Sequence, residues 1–291
     1  MPAFEIVPGT ADGAVVVHVP HGSRAIPEAE RARILLDDAA LAAELDAMTD
    51  GHTDLIAARA AAAATVRPWT FANRLSRLVI DPERFPDERE EMLAVGMGAV
   101  YTRTSSGEPL RPADPAHGDA LLSRYFHPYA QAMTDLIDGR LAAAGRAVII
   151  DVHSYPSKPL PYELHADGPR PPICLGTDEF HTPPWLLDAA RTAFRDCGAV
   201  ELDTPFAGCY VPLKHYGRTG SVAALMIEIR RDGYMTEPGG APTAGIDPLV
   251  SALTRLIDAV VSAQSESPLP GSTQPGSTQP GSTLPGSTQP E

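Results

Sequence analysis

Four stretches of the chain are apolar over the length of a β-strand. They cover residues 14–19, 78–81, 147–152 and 222–229, and proline follows the first two. Continuous runs of Val, Ile and Leu are typical of strands that are buried on both faces of a sheet. The pattern therefore predicts a mixed, mostly parallel β-sheet.

Helical periodicity occupies the intervals between these runs. Alanine- and leucine-rich or amphipathic patterns cover residues 38–64, 119–144, 184–197 and 248–263. Strand-length runs that alternate with helices indicate an α/β fold with helices on both faces of the sheet. Because no shift in composition divides residues 1–266, we expect a single α/β domain there.

Residues 267–291 differ in composition from the rest of the chain. From Pro270 onward they form four five-residue repeats, three of them PGSTQ and one PGSTL. Such a segment buries too little apolar surface to offset the entropy that it would lose on ordering. We therefore expect a disordered C-terminal tail.

The charge of the chain is strongly acidic. It holds 37 Asp and Glu against 23 Lys and Arg, which gives a formal net charge of -14. Sequence-independent binding to nucleic acid or to an anionic membrane needs a basic face, so neither partner is expected. The N-terminal sequence predicts no signal peptide, no apolar run is long enough to span a membrane, and the three cysteines are widely spaced. These features together predict a cytoplasmic protein.

Ionisable residues lie at or just beyond the ends of three predicted strands. His21 follows the first run, Asp151 and His153 lie at the end of the third, and Glu228 lies near the end of the last. Binding sites in open α/β sheets form at the carboxyl ends of the strands, so these side chains can meet. Two imidazoles and a carboxylate can bind zinc with one position open for water, and a further carboxylate can act as a base.

Each of these residues also has a structural interpretation. A histidine after a strand can be a hydrogen-bonded structural residue, and Asp151 and His153 can pair on one face of their strand. Glu228 can form an ion pair with Arg230 or Arg231, which would offset the cost of burying its charge. The comparable position of the ionisable residues on three strands favours the metal site.

A third metal ligand is sought between residues 46 and 54. This segment holds Asp46, Asp50, His52 and Asp54, which is a dense group for a region otherwise rich in alanine. The alternative is helix capping, by Thr49 or by Asp50 itself. We select Asp50 as the ligand and His52 as the reserve.

Two groups of cationic residues predict a site for a carboxylate. The first group holds Arg74, Arg77 and Arg84, and the second holds Lys214, His215, Tyr216 and Arg218. Arginine binds carboxylates through two parallel hydrogen bonds, which makes it the usual residue for this task. Surface ion pairs with Asp87, Glu88 and Glu90 are the alternative.

Six motifs resemble those of the N-formylglutamate amidohydrolase family and occur in its order. They read PHGS, TDGHTD, SRLVIDPERF, GMGAVYTRTSSG, DVHSY and KHYGRTGSVAALMIEI. The resemblance covers most of residues 14–262 and implies a fold similar to that of zinc carboxypeptidases and the aspartoacylase group. It also implies hydrolysis of N-formyl-L-glutamate to formate and L-glutamate, a late step of histidine degradation.

The resemblance implies roles for five residues. His21 and His153 match the metal-binding histidines of the family, and Glu228 matches its strand-borne catalytic glutamate. Arg77 and Arg84 resemble the paired arginines that bind the scissile carbonyl and the substrate carboxylate.

Two positions depart from the relatives. Their metal sites carry a His-x-x-Glu pair, whereas His21 is followed by Gly22, Ser23 and Arg24, so the acidic ligand must come from elsewhere. The common Asp-Leu-Asn-Arg motif reads Asp-Pro-Glu-Arg at residues 81–84, which places an acidic Glu83 where a neutral Asn is usual.

The favoured hypothesis is a metal-dependent amidohydrolase that acts on a small N-acyl amino acid. Zinc or another divalent ion held by His21, Asp50 and His153 would activate water, and Glu228 would act as the base. Arg77 would stabilise the oxyanion. The substrate carboxylates would be held by Arg74, Arg84, His215, Tyr216 and Arg218, and Asp151 would orient His153.

Two other functions remain open. The same chemistry could act on another N-acyl amino acid or a small peptide, with only the pocket differing. The scaffold could also serve a non-catalytic protein that binds small anions. A serine nucleophile is disfavoured, because Ser23 and Ser154 both lack a Gly-x-Ser-x-Gly elbow.

Overall fold

The structure, a computed structural model, describes residues 2–164 and 167–266. The tail predicted for residues 267–291 lies outside the described residues. Within the described ranges, no helix is long and apolar enough to cross a membrane.

Seven strands of the described chain form one mixed sheet. They are β1 (Phe4–Val7), β2 (Val15–Val19), β3 (Trp69–Asn73), β4 (Ala147–Tyr155), β5 (Ile173–Gly176), β6 (Val200–Leu202) and β7 (Val222–Arg230). Their order is β1-β3-β2-β4-β7-β5-β6. The four strands β3, β2, β4 and β7 run parallel to one another, whereas β1 is antiparallel to β3 and β5 is antiparallel to β7. This confirms the predicted mixed, mostly parallel sheet.

Helices connect the strands and cover both faces of the sheet. They are α1 (Glu28–Arg31), α2 (Asp38–Met48), α3 (Thr53–Ala63), α4 (Pro115–Leu121), α5 (His127–Ala144), α6 (Pro184–Phe194) and α7 (Ile246–Glu266). A π-helical turn at Leu122–Phe126 joins α4 to α5. Gly145 ends α5 with a left-handed φ of 71°, a conformation that glycine adopts without strain.

The side chains of the central strands alternate between two hydrophobic cores. Val15 and Val17 of β2 pack in the core that contains α3, α6 and α7, whereas Val16 packs in the core that contains α5. Successive side chains of a strand point to opposite faces, so Asp151 of β4 and Glu228 of β7 lie on the α5 face. The ionisable residues of β4 and β7 therefore share one side of the sheet.

Truncation of a buried side chain in β7 should destabilise the domain. Leu225 is fully buried in the core with α3, α6 and α7. We expect Leu225→Ala to lower the free energy of unfolding by about 2–5 kcal/mol, because it removes buried methyl groups and leaves a cavity. Denaturant-induced unfolding measures this change. Leu55→Ala on α3 is the control, since Leu55 is 39% exposed and its loss should cost less than about 0.5 kcal/mol. Equal effects of the two variants would contradict the packing described.

The helical pattern at residues 38–64 forms two helices rather than one. α2 ends at Met48 and α3 begins at Thr53, and the intervening His52 has a left-handed φ of 64°. Thr49, Asp50 and Gly51 interrupt the alanine-rich pattern at this break, and the pattern resumes after it. The break has a structural consequence, because it turns Asp50 back toward the sheet, where its N–H donates to the carbonyl oxygen of His21 at 3.0 Å.

The apolar run at residues 78–81 forms a buried turn and not a strand. The N–H of Val79 donates to the carbonyl oxygen of Ser76, and the N–H of Asp81 donates to that of Ala99. Leu78 and Val79 are fully buried, so the hydrophobic pattern reflects burial alone. The strand in this part of the chain is β3, which ends at Asn73. The buried turn follows β3 and lies beyond its carboxyl end.

Candidate functional site

A cavity of about 670 Å³ opens at the carboxyl ends of the parallel strands. His21 follows β2, His153 lies near the end of β4, and Glu228 lies near the end of β7. All three residues line the cavity, together with Asp50. The structure thus brings together the proposed metal ligands and the proposed base, as the parallel sheet requires.

The two histidines face each other across the cavity wall. Nδ1 of His21 lies 3.3 Å from Nδ1 of His153. The other nitrogen of each ring faces a carboxylate: Nε2 of His21 lies 2.8 Å from Asp81, and Nε2 of His153 lies 3.1 Å from Asp151. A carboxylate on the far side of an imidazole favours the N–H there and leaves a lone pair on Nδ1. Two lone pairs this close repel each other unless a cation or a proton lies between them.

Asp50 completes this group. Its Oδ2 atom lies 3.2 Å from Nδ1 of His153 and 3.7 Å from Nδ1 of His21. Oδ2 also accepts the backbone N–H of Ser154 at 3.2 Å, and Oδ1 lies 3.1 Å from the guanidinium of Arg231. Burial alone would raise the pKa of Asp50, but its contacts with His153 and His21 and the charge of Arg231 hold the pKa well below its usual value. The Asp50 side chain does not cap α2 or α3. Because its pKa is low, it is ionised and can act as a metal ligand.

The donor atoms of this group fit a tetrahedral zinc site. Zinc bonds of about 2.0–2.1 Å to nitrogen and oxygen separate neighbouring donors by about 3.3–3.4 Å. The three separations between His21, His153 and Asp50 are 3.3, 3.2 and 3.7 Å. Glu83 also lies close to both histidines, but it approaches His153 through Nε2, the nitrogen that faces Asp151. By these contacts, Asp50 fits the third position of such a site better than Glu83 does.

Asp81 contacts His21 and is itself held by Arg77 and Tyr101. Its Oδ2 atom accepts hydrogen bonds from Arg77 at 2.7 Å and from the Tyr101 hydroxyl at 2.6 Å. Burial would raise the pKa of Asp81, yet the charges of Arg77, His21 and Arg84 keep it well below the usual value. The pKa of His21 is raised, because Asp81 and Asp50 outweigh the opposing effects of burial and of the Arg77 charge.

Asp151 acts on two histidines at once. Its Oδ2 atom lies 3.1 Å from His153, and its Oδ1 atom lies 2.9 Å from Nδ1 of His18. Burial favours the neutral imidazole, but the charges of Asp151 and Glu83 raise the pKa of His153 well above its usual value. The contact between Asp151 and His153 agrees with the orienting role predicted for Asp151.

Glu228 is a buried carboxyl group that has no ion-pair partner within residues 2–164 and 167–266. It is 8% exposed, and its Oε2 atom has no hydrogen-bond partner among the described residues. Arg231 forms an ion pair with Asp50, and Arg230 forms one with Asp232, so neither arginine pairs with Glu228. Burial raises the pKa of Glu228 to about 8, although the nearby charge of His153 opposes this shift. A carboxyl group with such a pKa can exchange protons near neutral pH.

The residues predicted to bind the substrate or its oxyanion do not all lie at the cavity. Arg77, Arg84 and Tyr216 line the cavity. The described residues that line the cavity do not include Arg74, His215 or Arg218. Arg74 forms an ion pair with Glu5, His215 contacts Asp138 and Thr219, and Arg218 is exposed. The reserve ligand His52 contacts the carbonyl oxygen of Gly240 at 2.9 Å.

Three residues of the site were not predicted as site residues from the sequence. His18 lies inside β2 and is fully buried, and Glu83 lies in the loop beyond β3 between His18 and His153. Arg231 follows β7 and contacts Asp50, Ser154 and the carbonyl oxygen of Ala47. Two features of the sequence could have indicated them. His18 is a histidine inside an otherwise apolar strand, and Arg231 directly follows the strand that carries Glu228.

Comparison with known proteins agrees with this architecture. The model of the N-formylglutamate amidohydrolase family matches residues 13–235. The chain belongs to this family. An N-formylglutamate amidohydrolase from Ralstonia eutropha is 21% identical and shares the fold with a TM-score of 0.77, over 91% of this chain and 99% of that one. A gene product of Agrobacterium tumefaciens is 20% identical with a TM-score of 0.68, over 91% of this chain and 96% of that one. No curated protein gave a significant match. Membership of this amidohydrolase family supports an enzyme with a small-molecule substrate.

Proposed function

We propose that this protein is a divalent-metal-dependent amidohydrolase that converts N-formyl-L-glutamate and water to formate and L-glutamate in histidine degradation. One observation carries the proposal: His21, His153 and Asp50 present three donor atoms 3.2–3.7 Å apart in the cavity that Glu228 also lines. Zinc is the expected ion, because two imidazoles and a carboxylate form a typical catalytic zinc site.

The residues of the site divide the reaction between them. When bound, the ion acts as a Lewis acid that makes water a stronger nucleophile near neutral pH and stabilises negative charge on oxygen. Glu228 accepts a proton from the attacking water and passes it to the amide nitrogen, so the C–N bond breaks and glutamate leaves as the free amine. Arg77 stabilises the negative oxygen that develops on the formyl carbon. Asp81 and Asp151 orient the two histidines.

Arg84 is the proposed partner of a substrate carboxylate. It lines the cavity with its side chain 25% exposed, and its Nε atom is buried without a hydrogen-bond partner among the described residues. Its Nε atom lies 3.7 Å from Asp81 and its Nη1 atom lies 3.5 Å from Glu90, and both are long contacts. A buried donor without a partner would gain a charge-assisted hydrogen bond from a carboxylate ligand.

A substrate panel tests the proposal. N-formyl, N-acetyl and N-succinyl derivatives of glutamate are compared with N-formyl derivatives of neutral amino acids, on one preparation with its metal content measured. We expect the highest kcat/KM for N-formyl-L-glutamate. Equal or higher values for a larger acyl group would overturn the proposed substrate.

Loss of Arg84 should weaken substrate binding. A hydrogen bond to a charged group contributes about 1.5–3 kcal/mol, so Arg84→Met should raise KM for N-formyl-L-glutamate about tenfold to a hundredfold. The matched control is Arg195→Met, because the Arg195 side chain is 72% exposed on the surface. Steady-state kinetics on both variants measure the effect. An unchanged KM in Arg84→Met would remove Arg84 from the binding site.

Two features of the cavity favour a different N-acyl amino acid as the second candidate substrate. Its volume of about 670 Å³ leaves room for an acyl group larger than formyl. Glu83 also lines the cavity, and its carboxylate would repel a nearby substrate carboxylate. The same substrate panel separates this candidate from the first.

A further inference from the structure

Three buried polar atoms meet beside the proposed metal ligands, and among the described residues none of them has a hydrogen-bond partner outside this group. They are Nδ1 of His18, Oδ1 of Asp151 and Oε1 of Glu83. Nδ1 of His18 lies 2.9 Å from Asp151 and 3.4 Å from Glu83. His18 is fully buried and Asp151 is 1% exposed, so water does not satisfy these two side chains from the surface. Buried polar groups without partners are rare, and a site where three of them converge requires an explanation.

The charges around these atoms are unbalanced. Asp50 and Asp81, the two acids next to them, each have an arginine within ion-pair distance. Among the described residues, the ion-pair partners of Asp151 and Glu83 are histidines only. Neither carboxylate has an arginine or lysine partner among the described residues, so only the imidazoles offset the cost of withdrawing these charges from water. A bound divalent cation would offset both charges.

The surroundings of His18 prepare its Nδ1 atom for such an ion. The Nε2 atom of the ring lies 2.5 Å from the hydroxyl group of Tyr129 on α5. When Nε2 carries the proton and donates to that hydroxyl, Nδ1 presents a lone pair toward the two carboxylates. A lone pair that faces two carboxylates is unfavourable without a cation, whereas one nitrogen and two oxygens form a usual donor set for Zn²⁺ or Mn²⁺.

We propose that His18, Asp151 and Glu83 form a second divalent-cation site next to the ligands His21, Asp50 and His153. The second oxygen of Glu83 lies 3.2 Å from Nε2 of His153, so Glu83 lies between the two sites. This proposal goes beyond the proposed function and does not depend on the identity of the substrate. Its rival is a protonated His18 that pairs with both carboxylates and binds no ion.

Zinc stoichiometry of the full chain tests the proposal. The protein is stripped with a chelator, dialysed against graded zinc chloride, and analysed by inductively coupled plasma mass spectrometry, with circular dichroism as the check on folding. We expect two equivalents of zinc in the unaltered protein. His18→Leu and Asp50→Asn should each retain one equivalent, because each variant removes a ligand from only one of the two sites.

The outcomes separate this proposal from the proposed function. A single equivalent that is lost in Asp50→Asn and retained in His18→Leu would overturn the second site and leave the first intact. Two equivalents in His18→Leu would also overturn the second site. If no zinc binds to the unaltered protein, both sites are overturned. Glu83→Gln keeps the shape of the side chain and replaces His18→Leu if the latter does not fold, with loss of one equivalent as the expected result.

Discussion

Protein stripped of divalent metal is expected to lose its hydrolysis of N-formyl-L-glutamate by about a thousandfold or more, and zinc is expected to restore it. A metal ion contributes several kcal/mol of charge stabilisation in such reactions, and each 1.36 kcal/mol changes the rate about tenfold. His153→Ala should cause the same loss without a chelator, because it removes one of the two facing Nδ1 atoms. Activity and zinc content, measured on the same samples, give the result.

The matched control for His153→Ala is His52→Ala. His52 contacts the carbonyl oxygen of Gly240 rather than the facing histidines, so this variant should keep its zinc and most of its activity. Loss of zinc in His52→Ala would make His52 a ligand in place of Asp50. Full turnover by a metal-free protein would overturn the metal-dependent mechanism.

The central strands of the fold could be predicted from the sequence, and the outer ones could not. β2, β4 and β7 are buried on both faces, so their Val- and Ile-rich runs are unbroken. β1, β5 and β6 are only three or four residues long, and short strands leave no clear pattern. Hydrophobicity also reports burial and not backbone conformation, which is why the buried turn at residues 78–81 resembled a strand.

The site was predictable where topology alone determines which residues meet. His21, His153 and Glu228 follow or end parallel strands, so their proximity follows from the sheet. Asp50 was selected from a local cluster. Thr49, Asp50 and Gly51 mark a break in the alanine-rich pattern, but the sequence does not show that the break between α2 and α3 brings Asp50 to the histidines.

The remaining residues of the site depend on tertiary contacts. Arg74 and Arg84 lie in the same cationic segment, yet one pairs with Glu5 near the N-terminus and the other lines the cavity. Composition cannot separate two such arginines, because the difference arises from where the loop after β3 turns. The buried His18 likewise acquires its partners from α5 and from β4, which are distant in sequence.

The sharpest test of the proposed mechanism is Glu228→Gln. Gln keeps the size of the side chain but cannot accept the water proton, and loss of a general base typically lowers the rate about a hundredfold to ten-thousandfold. Zinc content and KM should persist, since Glu228 serves neither as a ligand nor as a substrate contact in this mechanism. Stability should not fall either, because the variant removes a buried carboxyl group that has no ion-pair partner among the described residues. Metal analysis, steady-state kinetics and thermal unfolding of one preparation measure all three. Loss of zinc would make Glu228 a ligand, and near-normal turnover would assign the base to another residue, with Asp151, which lines the same cavity, as the next to test.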